Sequence, residues 1–255
     1  MKIKLFLLPF SGGGFHSYND FLQYTPSWLE LIRVDLPGHG KRLCEPLLSD
    51  IHKITDDLVS QIRQDICHPY AIYGHSFGAT LGYLLCRKIG SENLPDPVHL
   101  FVSGRIAPAC IDAQVLHKLP GAAFLKGVLS YGGIPEQVLK EPELINMFLP
   151  ILRADFKAIE NYAYEQEDSP LGIPVTAMSG AKDHKVAFED VMKWQDITSH
   201  PLSARKFDGG HFFIFEQTER VMKLIVGSLQ NYRFSDSFDP VYQRMDMMTN
   251  WQKTS

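Results

Sequence analysis

Ser76, His211 and Asp183 are the residues whose types and surroundings could do chemistry together. Ser76 lies in Gly74-His75-Ser76-Phe77-Gly78, a G-x-S-x-G pattern. Ala71-Ile72-Tyr73 before it suits a buried strand, and the Leu-rich stretch Thr80 to Arg87 after it suits a helix ending in cations. A strand that turns sharply into a helix there pushes the serine out at the sheet's C-terminal edge. Gly74 and Gly78 carry no Cβ, so strand and helix can approach closely. A hydroxyl held at a helix N-terminus can attack a carbonyl while nearby amides stabilise the oxyanion. The plain alternative is a glycine-rich turn with an exposed serine, so the rest of the chain must supply partners.

Composition narrows the field. The chain has 255 residues, 45% hydrophobic and 21% charged, which suits one large domain or one domain with an insertion. A net charge of −4 implies no basic face, so nucleic acid is not an expected partner. Cys44, Cys67, Cys86 and Cys110 are widely spaced and form no C-x-x-C, which argues against disulfide staples and zinc and for reduced cytosolic thiols. No H-E-x-x-H pattern supports a metal site. The apolar run within MKIKLFLLPF is about six residues and is broken by Pro9, shorter than the core of a signal peptide. No later run approaches the roughly 18 apolar residues of a membrane span. A soluble, cytoplasmic protein with no membrane contact is expected, working as a monomer.

The elements that must position these residues alternate. Strands are expected at Ile3 to Leu8, Leu29 to Val34, the elbow strand, and Val98 to Val102. Helices are expected at Phe15 to Tyr24 and Asp50 to Ile66, the second amphipathic through Ile51, Ile54, Leu58 and Ile62. This alternation implies a mostly parallel sheet with helices on both faces. It stops from Ile106 to about Pro170, where only helical pieces are legible: Ala122 to Tyr131, Pro135 to Lys140, Pro142 to Phe148 and Pro150 to Tyr164. Pro142 and Pro150 suit helix first turns, and Pro150 is expected to divide one run into two helices. An insertion there would cap the strand ends, exclude water and shape a pocket. Alternation resumes with strands at Ile173 to Met178 and Ala204 to Phe207 and helices at Val186 to Thr198 and Glu216 to Leu229. The expected organisation is an α/β-hydrolase fold over residues 1–232, with a helical lid at about 106–170 and a C-terminal tail at 233–255.

In this fold the chain order is serine, then acid, then histidine, each on a loop after a strand. That order yields Ser76, Asp183 and His211. After the insertion, His184 and His211 lie in loops that follow strands, and His211 sits behind the turn-forming pair Gly209-Gly210. Asp208, three residues before His211, competes with Asp183 for the acid, although local backbone bonding is a common use for such a residue. His75 is expected to support the turn, because neighbouring side chains in a tight elbow diverge. His39 lies in the loop Asp35 to Gly40 and could line the entrance, but it is out of order for the base. The loop Pro9-Phe10-Ser11-Gly12-Gly13-Gly14 lacks the spacing of a nucleotide loop and can instead offer the Ser11 N–H to an oxyanion.

These motifs resemble the type II, or editing, thioesterases of non-ribosomal peptide and polyketide synthases. The resemblance covers Leu5 to Leu229. It is carried by PFSGGG, DLPGHGKR (Asp35 to Arg42), GHSFGA, SGRIAP (Ser103 to Pro108), SGAKDHKV (Ser179 to Val186) and GGHFFIF (Gly209 to Phe215). Most specific are YGGIPEQVL (Tyr131 to Leu139) and LPILRADFKAIENY (Leu149 to Tyr162) in the insertion, which generic esterases lack. The resemblance implies Ser76, Asp183 and His211 as catalytic residues and the Ser11 and Phe77 amides as the oxyanion hole. It implies no cofactor, because the acyl thioester substrate arrives on the phosphopantetheine arm of an acyl or peptidyl carrier protein domain. The implied role is removal of stalled or wrong acyl groups. Alternatives are a carboxylesterase or lipase, a chain-releasing acyl-carrier thioesterase, and a non-catalytic binding protein of the same fold.

Overall fold

A computed structural model describes residues 2–67, 69–110, 115–133, 140–166 and 169–236. Six strands form one sheet: β1 (Ile3–Leu8), β2 (Leu29–Arg33), β3 (Tyr70–His75), β4 (His99–Ser103), β5 (Val175–Gly180) and β6 (Ser203–Phe207). Their order is β2-β1-β3-β4-β5-β6, and every pairing is parallel. Parallel strands buried on both faces need near-continuous apolar runs, as in IKLFLL of β1. Side chains alternate between the two faces. Phe6, Leu8, Ile72, Leu100 and Val102 pack on one core, while Leu5, Leu7, Tyr73, Phe101 and Met178 pack on the other. Helices α1 (Ile51–Ile62) and α2 (Phe77–Ser91) cover the first face, and the last helix, α7 (Thr218–Asp236), covers the second. This is the expected α/β-hydrolase sheet. The strand order turns back between β1 and β3, the kind of crevice where open α/β sheets place their sites.

Several local expectations are corrected. The stretch Phe15 to Tyr24 is a turn followed by a 3-10 helix at Asn19–Tyr24. Its first amides are taken by side chains: Gly14 N–H donates to Ser17 Oγ at 2.9 Å and Phe15 N–H to Asp35 Oδ1 at 2.6 Å. That satisfies backbone donors without an α-helix. The stretch Val186 to Thr198 holds only a short helix, α5 (Phe188–Met192), which tightens into a 3-10 turn at Lys193–Ile197. There the buried Trp194 donates to the Arg105 carbonyl at 3.0 Å. The last helix is preceded by a short one, α6 (Phe213–Glu216), and runs past Leu229 to Asp236.

The insertion carries α3 (Gly121–Leu129) and α4 (Pro142–Glu160) between β4 and β5. The expected piece at Pro135 to Lys140 and the tail beyond Asp236 lie outside the described residues, apart from Lys140. Pro150 does not divide α4, which runs unbroken through it. Proline removes one i→i−4 hydrogen bond, but packing on both sides of it holds the helix together. Leu149 and Phe148 pack into the lid's own cluster with Phe124, Val128 and Leu152, while Ala158 and Ile159 reach the main core. Polar contacts make α4 the spine of the lid. Glu160 accepts from the Leu116 and His117 amides at 2.7 and 2.9 Å, and Arg153 donates to the Leu119 carbonyl at 2.8 Å. Among the described residues, no helix is long and apolar enough to cross a membrane.

Two histidines, His75 in the core and the partly buried His99, are expected to give the fold a pH dependence. His99 stacks on Phe101 at 4.1 Å and shares a hydrogen bond with Thr176 Oγ1 at 2.8 Å. Burial, with His200 nearby, brings its pKa down to about 4. Burial, with His211 nearby, holds His75 well below the ordinary histidine range. Native His99 therefore binds fewer protons than it does unfolded, and its contribution is complete above about pH 6.5 and lost toward pH 4. Thermal melts should show stability falling by roughly 1–3 kcal/mol across that window on this account. The fall should be shallower in His99→Gln, which keeps a hydrogen-bonding group but does not titrate. An unchanged slope in that variant would exclude His99 as a source.

Candidate active site

The elbow forms as its glycines permit. Ser76 sits between β3 and α2 with φ of 53°, one of the positive-φ residues other than glycine. A Cβ on Gly74 would lie 2.0 Å from the Gly78 carbonyl oxygen, and one on Gly78 would lie 2.6 Å from the Leu8 carbonyl oxygen. Larger residues would push β3, α2 and β1 apart. The Ser76 N–H donates to the Ser103 carbonyl at 2.8 Å, tying the elbow to the end of β4.

The loops after β3, β5 and β6 bring Ser76, Asp183 and His211 together. Ser76 Oγ lies 3.1 Å from His211 Nε2, and His211 Nδ1 lies 2.8 Å from Asp183 Oδ2. The side chains of His211 and Asp183 are 4% and 1% exposed, so little water competes for this pair. An ionised carboxylate only accepts, so Nδ1 carries the proton and Nε2 faces the serine hydroxyl as acceptor. The second Asp183 oxygen accepts the Lys185 N–H at 2.9 Å, which fixes the carboxylate. Asp208, the competing acid, is exposed. Tyr131 of the lid stands edge-on to the His211 ring at 5.1 Å, and His75 lies beneath it at 5.0 Å.

His75 supports the turn, as expected. Its Nδ1 pairs with Ser103 Oγ at 2.9 Å, and Ser103 Oγ in turn pairs with the Tyr73 hydroxyl at 2.9 Å. Phe77 opens α2, so its N–H has no acceptor within the helix. Ser11 lines the same cavity as Ser76 and His211. That cavity measures about 290 Å³ and lies between lid and sheet, walled by apolar side chains that include Leu125, Val128, Phe148 and Phe156. Of the apolar lid residues, these face the cavity, Phe124 is buried in the lid's own cluster, Leu144 is exposed on its outside, and Met147, half exposed, borders a second cavity beside the Gly12 loop. Among the described residues, no group of three or more His, Cys, Asp or Glu is placed to hold a metal ion.

Sequence reasoning missed Asp155. It lies on α4, fully buried, with His39 beside it at 3.1 Å. The available signal was its place on the apolar stripe Ile151, Leu152, Ala158 and Ile159, where helical spacing calls for another apolar residue. His39 is likewise buried against Asp155 rather than free at an entrance, though it borders a second cavity beside the Gly12 loop.

A hydrolase sheet with a serine elbow, a histidine and a buried aspartate at its strand ends defines the class. Comparison with known proteins narrows it. The thioesterase domain model matches residues 3–229, and the chain belongs to that family. The gramicidin S biosynthesis protein GrsT of Aneurinibacillus migulanus is 34% identical over 230 residues, covering 90% of each chain. Among solved structures, ClbQ from the colibactin NRPS/PKS pathway superposes with a TM-score of 0.88 at 26% identity, covering 92% of this chain and all of that one. YbtT, a type II thioesterase from the yersiniabactin NRPS/PKS pathway, has a TM-score of 0.78 at 28% identity, covering 88% of this chain and 91% of that one. The resemblance read from the sequence motifs is borne out.

Proposed function

We propose that this protein hydrolyses acyl thioesters held on the phosphopantetheine arm of carrier protein domains, and so frees a non-ribosomal peptide or polyketide synthase from stalled or wrong acyl groups. The observation that carries the reading is the continuous contact from Asp183 through His211 to Ser76, at the wall of an apolar cavity that suits an acyl chain. In this mechanism His211 Nε2 takes the Ser76 proton as Oγ attacks the thioester carbonyl. The charge that forms on His211 is stabilised by Asp183, and the oxyanion by the Ser11 and Phe77 amides. The tetrahedral intermediate collapses, the acyl carbon–sulfur bond breaks, and His211 gives its proton to the departing pantetheine thiolate and so becomes a base again. Water, deprotonated by His211, then attacks the acyl-serine carbonyl; the bond to Ser76 Oγ breaks as His211 returns the proton to it, and the acid is released. The enzyme needs no cofactor of its own for these steps, because the pantetheine belongs to the substrate. It works in the cytoplasm, where the synthases it serves would lie.

The lid's part is to recognise carrier and arm, while the triad is indifferent to both. Carrier-bound acyl groups should therefore give a kcat/KM at least tenfold above the same acyl group on N-acetylcysteamine. Leu144→Asp and Leu144→Lys, on the exposed outer side of α4, should lower only the carrier-bound rate. Equal rates on the two substrates, unaffected by these changes, would leave a general thioesterase. Faster turnover of p-nitrophenyl esters than of any thioester would favour a carboxylesterase instead.

A further inference from the structure

Asp155 is a carboxylate from the lid helix placed under the loop that follows β1. Its Oδ2 accepts the Gly12 N–H at 2.7 Å and lies 3.1 Å from His39 Nε2, while its Oδ1 is buried without a hydrogen-bond partner. Its side chain is 1% exposed and that of His39 is 3% exposed. One turn earlier on α4, Leu152 presses on the same glycine. Gly12 has φ of +74°, and a Cβ there would lie 2.7 Å from Leu152 Cδ2. Gly12 follows Ser11, whose N–H is one of the proposed oxyanion donors. A buried, half-satisfied carboxylate is costly unless its charge is compensated, so its persistence on an otherwise apolar stripe needs a reason.

The hydrogen-bond geometry supplies one. His39 Nδ1 lies 3.0 Å from the Pro37 carbonyl oxygen, which only accepts, so Nδ1 carries a proton. Nε2 faces Asp155 Oδ2, already an acceptor for Gly12. A second proton must lie between His39 and Asp155, because without it two lone pairs would oppose each other in a site closed to water. We infer that Asp155 and His39 are positioning residues that hold the oxyanion loop against the lid helix through this shared proton. Helix α4 is then a fixed wall of the catalytic centre and not only a cover.

The inference rests on the reading of Ser11 as an oxyanion donor, and it adds a pH limit outside the triad. Burial alone would lower the pKa of His39, but the hydrogen bond and charge of Asp155, the Pro37 carbonyl and the Asp35 carboxylate together raise it. Asp155 faces His39 from α4, and Asp35 from the loop after β2, itself held by the Phe15 and Lys41 amides. His16 borders the same cavity. Because the folded pKa is raised, the hold is complete below about pH 6.5 and is lost as pH climbs through the raised value.

The test uses p-nitrophenyl butyrate, so that failure of the carrier reading cannot affect it, with Ser76→Ala as the control for the serine mechanism. Asp155→Asn should lower kcat by ten- to a hundredfold with KM changed less than about twofold, since the loss falls on the transition state. It should weaken an acyl trifluoromethyl ketone, which forms an oxyanion at Ser76, by a similar factor. His39→Gln keeps a donor toward Asp155 that does not titrate. It should retain most of kcat near neutrality and lack the alkaline decline expected of the parent enzyme. His39→Leu should lose kcat at every pH. The inference is overturned if Asp155→Asn changes kcat only in proportion to its folded fraction, if it raises KM alone, or if His39→Gln keeps the parent's alkaline limb.

Discussion

Ser76→Ala is expected to fold normally and to lose acyl thioester hydrolysis by on the order of 10³-fold or more in kcat. The two parts of this expectation have separate causes. Ser76 holds a positive φ of 53° because the elbow's close contacts over-determine it. Alanine has a Cβ of the same kind and adds no new clash there. The bond from the residue's N–H to the Ser103 carbonyl survives the change. What disappears is Oγ, the only atom at this position that meets His211 Nε2. Without it water must replace the serine as nucleophile, aided only by the amides, and such residual catalysis is far below that of the intact unit. Thermal unfolding close to that of the parent protein, with hydrolysis reduced to background, is the result to look for. A clean preparation that kept a tenth of the parent rate would remove Ser76 from the mechanism.

Asp183→Asn should cost 10²- to 10⁴-fold in kcat, and Asp208→Asn much less. Both residues precede His211 and both lie in a loop after a strand, so their sequence positions alone do not separate them. Their surroundings do. Asp183 is almost fully buried, 2.8 Å from His211 Nδ1 and fixed by the Lys185 amide, while Asp208 is exposed. An asparagine at 183 can turn its amide N–H toward Nδ1, which leaves the proton on Nε2 and takes away the acceptor that Ser76 needs. Parallel kinetics of the two variants on one thioester decide the matter. The opposite ranking would reassign the acid to Asp208.

The parts of this protein that were legible in its chain are those fixed by local rules. Apolar runs such as IKLFLL suit buried strands, and Gly74 and Gly78 around Ser76 allow strand and helix to meet in a tight elbow. Chain order then put His211 forward as the base and left Asp183 and Asp208 as rival acids. What was hidden depended on distant partners. Pro150 looks like a helix start when read locally, yet α4 continues through it because Phe148 and Leu149 before it and Leu152 and Phe156 after it pack into one lid cluster. The stretch from Phe15 closes in i→i−3 turns, with the Ser17, Asn19 and Phe21 amides on the Gly14, His16 and Tyr18 carbonyls, and Asp35, twenty residues away, anchors its start by accepting the Phe15 amide. Asp155 and His39 are 116 residues apart, and no periodicity links them. Asp155 announced itself only as a charge on an apolar stripe, a signal that says something is odd without saying what it meets.

In the proposed mechanism the acyl group passes through Ser76. Intact-protein mass spectrometry after rapid quenching tests it most directly, with an acyl-phosphopantetheinyl carrier domain mixed with the enzyme in the millisecond-to-second range. The predicted result is an enzyme species heavier by the acyl group, with the added mass on the peptide that spans Gly74 to Gly78, appearing before free acid and absent from Ser76→Ala. Steady release of free acid with an acyl adduct on another residue, or release by Ser76→Ala at the parent rate, would contradict it.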